Sequence, residues 1–69
     1  MLRSERLEDY IGRCEICMDE LESVYHRLAK MPYRDISTSQ NDIMSEARSH
    51  AAAAYDALMV IKTSLEGEL

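Results

Sequence analysis

Cys14-Glu15-Ile16-Cys17 is the segment whose residue types and spacing come nearest to chemistry. A C-x-x-C pair serves a redox enzyme when the attacking Cys sits at a helix N-terminus, where the dipole lowers its pKa. It serves zinc when two further ligands converge on it. Here both cysteines fall inside a helical repeat, Cys14 on its seam and Cys17 at its margin. His26 and His50 lie far along the chain, so a zinc site would need the cysteines of a symmetry mate. Buried Cys acting as small apolar filler is the expectation, with no metal and no cofactor. Neither histidine has a Ser, Cys or carboxylate at a spacing that suggests a nucleophile–base pair. No catalytic residue is expected, and hence no enzyme.

Charge carries more information. Glu8, Glu15, Asp19 and Glu22 fall on one stripe beside an apolar helix face, and no Lys or Arg occurs between Arg13 and Arg27. Such a stripe keeps a helix solvated. It also offers a basic partner an electrostatic landing strip, where complementary charge speeds encounter and selects the partner. DNA-binding domains present basic surfaces of this kind, and an acidic helical protein that covers one competes with DNA without catalysis. Ile16 points almost directly away from the seam and stands beside Asp19 and Glu20 as an apolar anchor. The stretch Met31-Pro32-Tyr33-Arg34-Asp35-Ile36 adds Tyr and Arg, the residue types that dominate interface hot spots. The candidate partner-binding residues are Glu15, Ile16, Asp19, Glu22, Tyr33 and Arg34; the alternative for Tyr33 and Ile36 is that they fold back and plug the end of a bundle.

These residues must be positioned by helices. From Leu7 the apolar series runs Leu7, Ile11, Cys14, Met18, Leu21, Tyr25, Leu28, a sustained heptad alternation of four and three. Tyr10, Cys17, Val24 and Met31 form a second line beside it, which makes the face broader than a strict two-stranded seam. Ser4 is the expected N-cap, with Glu5, Glu8 and Asp9 near the positive end of the dipole. Gly12 inside the helix suggests close approach of another chain. Pro32 disfavours helix at Met31 and lacks an N–H, so it ends the segment. Ser37 and Gln40 read as a capping box, with Ser39 and Asp42 as a competing version. A second helix follows with the seam Met44, Ala47, Ala51, Ala54, Leu58, Ile61, Leu65, and Gly67 is its natural stop.

The expected domain is therefore a single all-α unit: helix over about 4–31, hinge 32–37, helix over about 38–66. So short a hinge forces the helices antiparallel. That pairing sets Met18 and Leu21 against the tract Ala51-Ala52-Ala53-Ala54. Two helices cannot cover both wide faces, so a homodimeric four-helix bundle is the expected assembly.

Length and composition agree with this. At 69 residues a lone core is marginal, and the usual remedies are disulfides, a metal or a partner chain. Apolar residues at 46% and charged residues at 30% exclude intrinsic disorder. A net charge of −5 disfavours direct nucleic-acid binding, since phosphate contacts need excess Lys and Arg. The longest run of larger apolar residues, Ala57 to Ile61, is far short of the ~20 residues of a membrane span. Met1-Leu2-Arg3-Ser4-Glu5 lacks the apolar core of a signal peptide, and two Cys without such a signal point to a reducing cytoplasm.

Three families share features with the chain. In length, hairpin form and acidity it resembles small bacteriophage proteins that bind host regulators, including quorum-sensing anti-activators that block a transcription activator's DNA-binding domain. That resemblance implies a bacterial host cytoplasm, a helix-turn-helix partner, and Asp19, Glu22, Tyr33 and Arg34 as contacts. Leu28-Ala29-Lys30-Met31-Pro32 and Val60-Ile61-Lys62 are similar to stretches flanking the hinge of type III secretion needle subunits, which implies a small chaperone or assembly component. The plasmid RNA-binding four-helix bundle proteins resemble it in architecture, but their basic RNA-facing surface has no counterpart in this acidic chain.

Overall fold

The computed structural model describes residues 2–69; Met1, at the head of the stretch read for a signal peptide, lies outside them. Two helices make up the fold, α1 (Arg3–Lys30) and α2 (Thr38–Gly67), with no strand among the described residues. Their ends follow local chemistry. Leu2, not Ser4, is the N-cap of α1: its backbone is extended, and Ser4 is already the second helical residue. The Leu2 N–H donates to Glu5 Oε2 at 3.4 Å, the carboxylate half of a capping box, which starts the helix earlier than the Ser4 signal implies. At the other end Met31 is extended, as a residue before proline prefers to be. Ser37 caps α2 with a complete box. Its Oγ accepts from the Gln40 N–H at 3.1 Å, and Gln40 Oε1 accepts from the Ser37 N–H at 2.9 Å. Gly67 is the last residue of α2 and keeps a negative φ, so it does not act as a left-handed stop.

The hinge turns through two left-handed residues, Tyr33 at φ 51° and Asp35 at φ 61°. Asp tolerates this region; Tyr does so at a cost of about 1–2 kcal/mol. Two contacts offset that cost. The Tyr33 hydroxyl donates to the Leu28 carbonyl, one of the acceptors a helix end leaves without an intrahelical partner. The Arg48 guanidinium lies over the Tyr33 ring, 5.1 Å from its centre. Tyr33 therefore closes the hinge end of the hairpin, while Ile36, the other candidate plug, stays exposed.

Ion pairs between distant parts of the chain establish the antiparallel hairpin. Arg3 at the start of α1 pairs with Glu68 after the end of α2, and Glu15 Oε1 lies 3.4 Å from Lys62 Nζ. The result is a rod 54 Å long and 15 by 14 Å across. Along the α1 seam Leu7, Ile11 and Met18 are buried and Cys14, Leu21 and Leu28 half-buried, but Tyr25 is exposed. The α2 seam differs from expectation in a systematic way. Met44, Ala51, Leu58 and Leu65 face α1 as expected, and Ala47 is half-buried at the edge. Ala54 and Ile61 are exposed, and Tyr55 and Lys62 are half-buried in their place, with Arg48 similarly placed beside Ala47. The seam of α2 is thus turned by a few tens of degrees, a fraction of the ~100° between successive helical residues. Long amphipathic side chains explain the turn. Lys62 and Arg48 lay their apolar stems along the seam and lift their charges to its edge, and the Tyr55 ring covers area that an alanine cannot reach.

Candidate interaction surfaces

An antiparallel pair of helices has two long flanks, one on either side of its seam. Helical angles place the α1 line Tyr10, Cys17, Val24 and the α2 line Ala47, Ala54, Ile61 on the same flank. Glu8, Glu15 and Glu22 of α1 and Arg48, Tyr55 and Lys62 of α2 border the opposite one. The Glu15–Lys62 ion pair spans the seam on that second side.

The first flank is apolar and bare: Tyr10 is 49%, Val24 41% and Ile61 44% exposed, and Cys17 and Ala54 are exposed as well. Both cysteines are free thiols, Cys14 half-buried and Cys17 open. Among the described residues no group of three or more His, Cys, Asp or Glu side chains converges as metal ligands would.

The second flank is acidic and partly self-satisfied. Glu15 meets Lys62, and Glu22 Oε1 lies 3.8 Å from His26 Nε2, an ion pair only when that imidazole is protonated. Asp19 is exposed farther round the helix. Between the helices on this side runs an open groove of about 260 Å³, lined by Leu21, Tyr25, Ala51, Ala52 and Tyr55 with Glu22 and Asp56 at its rim. It exists because the alanine tract is too small to fill the space that Leu21 and Tyr25 leave. Helix pairing sets Leu21 against that tract, and the four consecutive alanines are the sequence signal of a groove there, but no residue pattern marks Tyr55 and Asp56 as its lining.

The six candidate contacts do not form one patch. Glu15, Asp19 and Glu22 share the acidic side of α1. Ile16, 60% exposed, lies on the back of α1, away from the seam. Tyr33 and Arg34 sit in the hinge, and Lys30 at the end of α1 is already about two helical turns past Glu22. Arg34 is exposed; Tyr33 is half-buried, with its hydroxyl and ring engaged as described. No helix among the described residues is long and apolar enough to cross a membrane.

No protein-family model, curated protein or solved structure matches the chain.

Proposed function

We propose that this chain is a non-enzymatic, protein-binding regulator that works as a homodimeric four-helix bundle and covers a basic protein surface with its acidic flank. The partner class that best fits is the helix-turn-helix DNA-binding domain of a bacterial transcription activator, whose phosphate-contacting Arg and Lys would meet carboxylates instead. The observation that carries this reading is the separation of chemistry between the flanks. Glu8, Glu15, Asp19 and Glu22 stand together along one side, while apolar area is held on the other. Assembly through the apolar side therefore leaves the charged side free for a different partner. Complementary charge at such a rim acts mainly on encounter rate and selectivity.

Affinity capture from bacterial lysate, followed by gel-shift titration of the captured activator on its operator, tests this. Retention should fall as salt rises, and the activator–DNA band should disappear as the chain is added. Reversing charge with Asp19→Lys and Glu22→Lys should slow association about tenfold or more with helicity intact. A supershifted ternary band, or retention indifferent to salt and to the reversal, overturns masking of the DNA-binding surface. The bare apolar flank supports a second reading, a secretion-type chaperone or assembly component whose partner helix covers that flank.

A further inference from the structure

A hairpin that, among the described residues, buries only Leu7, Ile11, Met18 and Ala51 as apolar core, with no side chain there fully enclosed, is under-packed for an independent fold. The missing burial has a definite location. Tyr10 and Val24 of α1 and Ile61 of α2, on one flank, are 41–49% exposed, and Tyr10 and Val24 recur at heptad spacing with Cys17 between them. We propose that this flank is closed by a second copy of the chain, through an isologous interface built on Tyr10, Cys17, Val24, Ala47, Ala54 and Ile61. The inference rests on the dimeric half of the function proposed above and names the face that the dimer uses.

Three features favour a second copy over an unrelated partner. The first is area. One side of the rod, 54 Å by about 15 Å in outline, has room for the ~800 Å² per partner of a standard stable interface. The second is shape. The α1 line is a ridge of larger side chains, and the α2 line dips at Ala47 and Ala54, so two-fold pairing can set one copy's ridge against its mate's trough. The third is charge. The chain carries net −5, and two copies repel least when their carboxylate-bearing sides point apart. Closing the apolar flank achieves that arrangement and leaves Glu8, Glu15 and Glu22 of both copies hydrated.

Cys17 reports on the closure directly, because it is open in the single hairpin and would be covered in the dimer. The experiment combines sedimentation equilibrium of the full chain with maleimide labelling of Cys17 in a Cys14→Ser background. The expected result is a dimer at micromolar concentration whose Cys17 labels at least tenfold more slowly than in a Val24→Glu or Ala54→Glu variant, both of which sediment as helical monomers. Met59→Glu, on the other side of α2, should leave mass and labelling unchanged. A wild-type monomer at micromolar concentration overturns the dimer itself and the dimeric half of the proposed function. A dimer with freely labelled Cys17, or one that survives Val24→Glu and Ala54→Glu, overturns only this choice of face and leaves the basic-partner reading standing. Should the flank variants unfold, the wild-type labelling rate measured against the same chain unfolded in denaturant still decides, with fast labelling of the assembled protein counting against the proposal.

Discussion

Both flanks of the hairpin advance by the same seven-residue step, and they differ by a small offset. On α1 the acidic side is Glu8, Glu15, Glu22 and the apolar side Tyr10, Cys17, Val24; on α2 the corresponding lines are Arg48, Tyr55, Lys62 and Ala47, Ala54, Ile61. An offset of two residues on one helix and one on the other separates opposite behaviours. The charged side can stand in water at little cost, since exposed carboxylates keep their hydration and exposed ion pairs contribute ~1 kcal/mol or less. The apolar side gives up roughly 25 cal/mol for every Å² left wet. Helix periodicity thus sets where a surface line runs, while residue identity sets whether that line needs a cover.

The sharpest way to break the comparison is at the seam that divides the flanks. Met18→Ala, at a buried position, should lower unfolding free energy by about 2–5 kcal/mol in chemical denaturation. Met59→Ala, at an exposed position of the same residue type, should stay within about 0.5 kcal/mol. Equal effects would mean that the seam is not where the core lies. A smaller and opposite effect is expected from Gly12→Ala. A Cβ there meets nothing within 4 Å, so the change should stabilise α1 by about 1 kcal/mol, a gain of several degrees in Tm. Gly12 lies on the acidic-flank half of α1. If Gly12→Ala weakens assembly instead, another chain approaches on that side and the assignment of the two flanks is reversed. The smallest effect belongs to Glu15→Gln, which removes the partner of Lys62 at an exposed site. It should cost ~0.5 kcal/mol at low salt, and the difference from wild type should shrink as salt is raised.

Much of α1 was legible in the sequence because its seam is made of large apolar residues. Leu7, Ile11 and Met18 are buried where their spacing places them. Tyr25 departs because it stands beside the alanine tract, where the groove leaves its ring open to water. In α2 the apolar spacing runs through Ala47, Ala54 and Ile61. Alanine buries little area, and the stems of Arg48 and Lys62 with the Tyr55 ring compete successfully for the seam. Residue-type periodicity treats such side chains as polar and cannot register them as cover. The hinge was legible as a break, through Pro32 and the Ser37–Gln40 box, but not in its geometry. Nothing in the residue type announces a left-handed Tyr33, which depends on a carbonyl of α1 and a guanidinium of α2 that only the folded hairpin supplies. Of the candidate contact surface, the shared side of Glu15, Asp19 and Glu22 could be read from spacing alone. So could the turn of Ile16 away from the seam, whereas the half-buried setting of Tyr33 could not, because its partners meet it only when the hairpin closes.

The slender outline of the hairpin has a hydrodynamic consequence. A body 54 Å long and about 15 Å thick drags more solvent than a sphere of equal mass. Stacking a second rod along its side doubles the thickness and leaves the length unchanged. Association therefore makes the particle rounder as it makes it heavier, and diffusion slows by less than the doubling of mass alone suggests. End-to-end association would do the reverse, lengthening the rod and raising its friction. The shape of the sedimenting boundary carries the geometry of assembly as well as its stoichiometry.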